Sequence, residues 1–215
     1  MRVSPLLYHF IKCKSGGYHL NNPINSRRSI RKYLDKVIEK EYIDSIIDAG
    51  RLAPSAKNRQ PWKYIVFTGE SKRALLDEME RGIAREEENP LLPDSKQGIP
   101  DAKYTLKVMR EAPVTIIVIN TNAVSPFENI SADDRICEIC DTLSIGASIE
   151  NMLLRAQELG LGSLWIANTC FAYPELTAYL KTDRQLVGAI ALGYANECPG
   201  ARPRKDIGDI REYRM

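Results

Sequence analysis

The chain has 215 residues, 44% of them hydrophobic, and a formal net charge of +2 from 30 Lys+Arg against 28 Asp+Glu. That apolar share can build a core without staples and excludes disorder over most of the chain, and the near balance of charge lacks the basic excess of a general nucleic-acid binder. No stretch approaches the roughly 18 consecutive apolar residues of a membrane span.

Residues 1–22 read as an arm punctuated by Ser15-Gly16-Gly17 and Asn21-Asn22-Pro23. Its apolar patch, residues 6–11, is short and is followed by Lys12 and Lys14 rather than preceded by charge. That is a poor signal peptide, so a cytoplasmic protein is expected. A short helix is expected near Asn25 and Ser26. Ile38 to Leu52 reads as a longer helix with an Ile43, Ile46, Ile47 stripe, ended by Pro54. Residues 53–62 form a loop bounded by Pro54 and Pro61, and Tyr64 to Thr68 reads as a buried strand.

Glu70 to Glu88 is a charged helix carrying Leu75, Leu76, Met79 and Ile83, and residues 89–100, with three prolines, are a loop. Lys103 to Arg110 reads as a helix with Tyr104, Leu106 and Val108 inward. Val114 to Ile119, a continuous and largely β-branched run, belongs in the middle of a sheet. Asp133 to Leu159 is the longest helix, apolar around much of its circumference, hence central or packed on a partner chain. Leu164-Trp165-Ile166 is a short extended piece, Pro174 to Leu180 a surface helix, and Gln185 to Gly193 another buried strand. The sum is α+β, one core of residues 23–215, with 70–110 as a lid or a surface excursion.

Five cysteines, an odd number, argue against a disulfide scaffold. Cys137 and Cys140 share a helical face; the pair reads first as structural, then as redox-active, then as half of a metal site. No complete metal-ligand set is legible. Both histidines, His9 and His19, lie near the start, which weakens a histidine-based hydrolase or zinc enzyme.

Three constellations can carry chemistry. Arg27-Arg28-Ser29-Ile30-Arg31 offers forked donors suited to phosphate, or is a solvated basic turn. Pro54-Ser55-Ala56-Lys57-Asn58-Arg59-Gln60-Pro61-Trp62 displays polar groups on a backbone stiffened by prolines, which suits ligand recognition. Arg202-Pro203-Arg204-Lys205 is a second basic group in the tail. Trp62, Trp165, Phe171 and Tyr173 are the aromatic candidates, Trp62 as support behind the loop and Phe171 or Tyr173 toward a substrate.

These pieces, with Leu159-Gly160-Leu161-Gly162-Ser163-Leu164-Trp165-Ile166 and Leu192-Gly193-Tyr194 in the same order, resemble the nitroreductase family of flavoproteins over roughly residues 24–212. The resemblance implies a nitroreductase-like fold: a central, mostly antiparallel sheet of about four to five strands surrounded by helices, in an interlocked homodimer with FMN at the interface. It implies ping-pong chemistry in which NAD(P)H reduces the flavin and a nitroaromatic, quinone, enone or free flavin oxidises it. Arg27, Arg28 and Ser29 match ligands of the FMN phosphate and ribityl chain, and Arg31 a cation near N1 and O2 that stabilises the reduced ring. Pro54, Ser55, Ala56 and Asn58 match contacts to the ring and ribityl region, Asn58 from the dimer interface, and Arg204 and Lys205 match phosphate ligands of the tail. Ala167 and Asn168 match the peptide at the flavin N5 edge, with Ala167 N–H as the donor; many relatives carry glutamate and glycine there. The competing readings are a specialised relative with a protein donor or dedicated substrate, a flavin storage or sensor protein, and a nucleic-acid regulator using the arginines.

Overall fold

The structure is a computed structural model and describes residues 22–215. The expected arm falls, but for Asn22, outside the described residues. The order is α1 (Pro23–Ser26), α2 (Lys40–Arg51), β1 (Trp62–Thr68), α3 (Gly69–Glu88), α4 (Ile99–Glu111), β2 (Val114–Val124), α5 (Ala132–Glu158), β3 (Gly162–Ile166), α6 (Tyr173–Leu180), β4 (Arg184–Gly193) and α7 (Ile207–Ile210), with 3-10 turns at Ala56–Asn58, Pro93–Gly98 and Asn168–Ala172.

The strands form one antiparallel sheet in the order β1-β2-β4-β3. Helices cover both faces. On one side α3, α4 and α6 bury Leu75, Met79, Ile83, Ala102, Met109 and Leu176 against Ile117, Ile119, Ile166 and Ala189. On the other, α2 and α5 bury Ile43, Ile46, Ile145, Ile149 and Met152 against Val114, Ile116, Val118 and Ile190. Alternate residues of β2 thus enter two separate cores, which is why its sequence shows no polar alternation.

β1 departs from its sequence reading. It is an edge strand with Phe67 buried, Val66 exposed and the rest mostly half-buried or exposed. Its apolar residues reach both cores, Ile65 and Phe67 on one side and Trp62 and Tyr64 on the other, but with no strand beyond it most stay half-buried. Tyr104 is 48% exposed, whereas Leu106 and Val108 are buried as expected. The α4 helix begins earlier, at Ile99, with Pro100 in its first turn, where a missing N–H costs nothing. Helices α3 and α4 are built into the core, and residues 89–98 remain as the outer connection between them. That connection is held by Glu86, whose buried carboxylate accepts from Leu92 N–H at 2.6 Å and Leu91 N–H at 3.1 Å and pairs with Arg85.

Helix α5, roughly 40 Å long, runs across one face. Ser131 caps it by accepting from Asp134 N–H at 3.1 Å, and Asp133 and Asp134 complement its positive end. Its partner is α2: Ser148 Oγ donates to Gly50 O at 2.9 Å, and a Cβ on Gly50 would sit 2.7 Å from Met152 Cγ.

Candidate functional site

Residues 27–34 form a strap along the β3 side of the sheet. Ser29 bridges Ser163 at the start of β3, Ile30 N–H donates to Ser163 O at 3.0 Å, and Leu34 N–H donates to Tyr194 O at 2.9 Å. Gly162 makes room for this crossing, since a Cβ there would meet the Ile30 side chain at 2.8 Å. The strap leaves the arginines half-buried. Arg27 Nε is buried and faces Glu150 Oε1 of α5 at 3.3 Å without making a hydrogen bond. Arg28 folds back on Asn25 O at 2.8 Å and Arg27 O at 2.7 Å. Arg31 donates its backbone N–H to Glu197 and a guanidinium N–H to Ser29 O at 3.4 Å. Burial, and then the Glu197 charge, push the Tyr33 phenol far up, while Arg31 pulls it down.

The 54–60 loop is held in a costly shape. Lys57, Asn58 and Gln60 all have positive φ, at 53°, 55° and 48°, each costing on the order of 1–3 kcal/mol for a residue with a side chain, least for asparagine. Local hydrogen bonds sustain the turn: Gln60 N–H donates to Ser55 Oγ at 3.0 Å and Asn58 N–H to Ser55 O at 2.9 Å. Helix α5 anchors it from below. Ala56 N–H donates to Ser144 Oγ at 3.1 Å, and Arg59 donates to Asp141 at 2.8 Å. Asp141 is buried and also accepts from Asn122 at 3.2 Å. Its hydrogen bond raises the Arg59 guanidinium above the usual arginine value, opposed by burial and aided by the Asp141 charge. Pro54 and Asn58 remain exposed, with Ser55 and Ala56 half-buried.

Within β3, Trp165 is 45% exposed and lies beside Gly146 of α5. Gly188 of β4 lets the Ile166 carbonyl pass, for a Cβ there would stand 2.5 Å from that oxygen. Ala167 is exposed and its N–H has no hydrogen-bond partner among the described residues. Asn168 turns its amide away from Ala167, donating to Asp101 Oδ2 at 2.8 Å and Thr105 Oγ1 at 3.0 Å on α4.

The expected residues therefore fall in three groups. The strap (Arg27, Arg28, Ser29, Arg31) and the Ala167–Asn168 turn sit at the two ends of β3. The loop (Pro54, Ser55, Ala56, Asn58) shares α5 with them, Ser144 anchoring the loop and Glu150 facing Arg27. Arg204 and Lys205 stand apart: residues 201–215 are exposed throughout, and among the described residues Arg204 donates to Arg202 O and Pro203 O. Phe171 and Tyr173 are both buried in the core, Tyr173 beneath a surface depression that it helps to line, while Trp62 is half-buried against the other core, behind the loop. Two surface depressions of about 390 and 350 Å³ lie around Pro174; Tyr173 lines the second, and neither contains a residue of the strap, the loop or the Ala167–Asn168 turn. Cys137 is exposed and Cys140 half-buried, both as free thiols. Among the described residues no group of three or more His, Cys, Asp or Glu could hold a metal ion. No described helix is long and apolar enough to cross a membrane.

Sequence reasoning missed Asp141, Ser144 and Glu150, the α5 groups that hold or face the site. Their signal was polar residues interrupting an otherwise apolar helix. Asp101 and Thr105 gave none, because their partner Asn168 lies far along the chain.

Comparison with known proteins bears on the family and the fold. The family model described as "Nitroreductase family" matches residues 24–194. The chain is 30% identical over 188 residues to a provisionally named NADH dehydrogenase/NAD(P)H nitroreductase of Methanothermobacter thermautotrophicus, covering 83% of this chain and 78% of that protein. Among solved structures it is similar to a BluB-like flavoprotein from Clostridium difficile 630, with a TM-score of 0.71 and 26% identity over 93% of this chain and 100% of that one. It is also similar to a nitroreductase with bound FMN from Bacteroides fragilis, with a TM-score of 0.65 and 25% identity over 89% of this chain and 97% of that one. A match over that span, with the arginine strap, the strained loop and the β3 turn all inside it, means that the chain belongs to the nitroreductase family.

Proposed function

We propose that the chain is an FMN-dependent oxidoreductase that takes a hydride from NADH or NADPH and passes two electrons to a small acceptor in a separate half-reaction, acting as a homodimer. The observation that carries this is the placement of cationic side chains at one end of β3 and a backbone donor at the other. At one end stand the half-buried arginines of the strap, with Arg27 Nε buried and without a hydrogen bond. At the other stands the unpartnered N–H of Ala167. From Ser163 to Ala167 is about 13 Å of extended chain, the scale of a ring system joined to a phosphate by a ribityl chain. The residues present fit FMN on these grounds, and family membership and the FMN-bound neighbour support the same cofactor.

When bound, FMN supplies the hydride chemistry at its N5. Arg27 and Arg28 of the strap, with Arg204 and Lys205 of the tail, would hold and neutralise the phosphate. Ser29 donates to the phosphate or ribityl oxygens. Arg31 would supply a positive charge that favours the reduced, anionic ring. Ala167 N–H orients N5. Pro54, Ser55, Ala56 and Asn58 present backbone and side-chain groups to the ring and ribityl region, held in place by α5. No acid–base pair is required, because the protein's work is to hold donor and acceptor over the ring. The dimer is supported by Ile136, Ile139 and Leu143, which lie on one face of α5 and are 61%, 48% and 71% exposed.

The test is an absorption spectrum of the purified protein with the released chromophore identified by mass, then anaerobic mixing with NADH or NADPH. Flavin bands near ~375 and ~450 nm that bleach with either nucleotide are expected. A colourless protein that does not take up added FMN overturns the reading. Bound FMN that neither nucleotide reduces leaves a storage or sensor protein, or a relative served by a protein donor.

A further inference from the structure

We propose that Asp101 and Thr105 are positioning residues for the flavin edge: by gripping the Asn168 amide they set the direction of the Ala167 N–H. The proposal rests on the flavin reading above and deepens it at one site.

The chain at this point is fixed from two sides. Upstream, Ile166 is the last paired residue of β3, in register with Ala189. Downstream, the Asn168 side chain donates to Asp101 Oδ2 at 2.8 Å and Thr105 Oγ1 at 3.0 Å. A carboxylate accepts and does not donate, so the NH2 of Asn168, not its oxygen, faces Asp101, and its two hydrogens serve the two acceptors. Asp101 and Thr105 stand one helical turn apart on α4, which is itself packed in the core through Ala102, Leu106 and Met109. Thr105 is buried, so its grip is shielded from water.

Ala167 sits between these fixed points. Its carbonyl accepts from Cys170 N–H at 3.1 Å, which closes the turn. Its own N–H is the group left over, on an exposed residue. A backbone donor on a turn held at both ends is preorganised; with the downstream end released, it becomes one of several conformers. Asn168 thus serves the site through α4, rather than by touching the flavin with its amide.

The experiment uses D101A, D101A/T105V and D101N, with the N–H resonance of Ala167 as the first readout in FMN-free protein. Asp101 is exposed, so D101A keeps the fold even if the double variant does not. The resonance is expected to shift and broaden in D101A, more so in D101A/T105V, and to return in D101N, whose amide oxygen still accepts. With FMN bound, D101A is expected to shift the visible flavin band and midpoint potential and to slow reduction by about tenfold with KM for the nucleotide unchanged; D101N restores all three. An unmoved Ala167 resonance overturns the proposal. So does a moved resonance with unchanged spectrum, potential and rate, while the flavin reading stands. Wild-type protein that binds no FMN removes the flavin reading and leaves the grip purely structural, which also overturns the proposal.

Discussion

The Arg59 guanidinium meets the buried Asp141 carboxylate at 2.8 Å, and this ion pair joins the 54–60 loop to the central helix. The loop carries three left-handed residues with side chains, so its shape depends on such anchors. Removing Asp141 takes the carboxylate from the Arg59 guanidinium and from the Asn122 amide together. D141A is expected to lower Tm, read by calorimetry. It should also weaken FMN binding, because the Ser55 and Asn58 region loses its support. An unchanged Tm would mean that the pair is solvated and does not anchor the loop.

Arg27 is expected to act on cofactor affinity rather than on folding. Its Nε has no hydrogen bond to give up, and a charge-assisted hydrogen bond is worth about 1.5–3 kcal/mol. R27A should therefore weaken FMN by roughly 10- to 150-fold with little change in the Tm of the FMN-free protein. Fluorescence titration and a thermal scan measure the two separately. Equal loss in both would make Arg27 a structural partner of Glu150.

Glu86 sets an acid limit. Burial works to raise its carboxyl, but the Leu92 and Leu91 N–H groups and Arg85 outweigh it, and the net direction is down from the ordinary 4.5. A carboxyl lowered in the folded state stabilises the fold above its unfolded value and loses that contribution as pH falls through the folded value. Wild-type stability is thus expected to fall below about pH 4.5. E86Q should flatten that part of the profile and cost about 2–4 kcal/mol at neutral pH. Urea unfolding across pH 3–7 checks both, and parallel profiles for the two proteins would count against the role.

The exposed face of α5 is expected to join two chains. Leu143 is 71% exposed, so L143D leaves the core of one chain intact. Light scattering should move from twice to once the 24.3 kDa chain mass, with FMN lost alongside. A wild-type protein already monomeric with FMN bound would remove the dimer from the proposal.

Some of this was legible in the residues and some was not, for physical reasons. Val114 to Ile119 announced a strand covered on both faces because each alternate residue enters a core. Tyr64 to Thr68 showed a similar apolar run and lies at the edge, since a run of apolar residues does not say how many strands flank it. Tyr104 looked like a core residue by spacing, but its neighbours Thr105, Leu106 and Val108 turn the buried face away from it. The breadth of α5 was read correctly as more apolar surface than one side requires, with Ile136, Ile139 and Leu143 left outside the core. What no local pattern carried was the set of long-range polar ties, Arg59 to Asp141, Ala56 to Ser144 and Asn168 to Asp101. Each joins residues more than 60 positions apart, and each partner is unremarkable in its own segment.

The strap has a second consequence. Since β3 closes one side of the sheet, its outer row of N–H and C=O groups would be a template for another chain. Ile30 takes up the Ser163 carbonyl, and its side chain covers Gly162, so the strap occupies the beginning of that row. The same few residues that carry the strap's arginines thereby cover part of the edge that another chain could pair with. A chain trimmed to begin after Tyr33 would lose cofactor and solubility together, and its precipitation would say nothing about the arginines themselves.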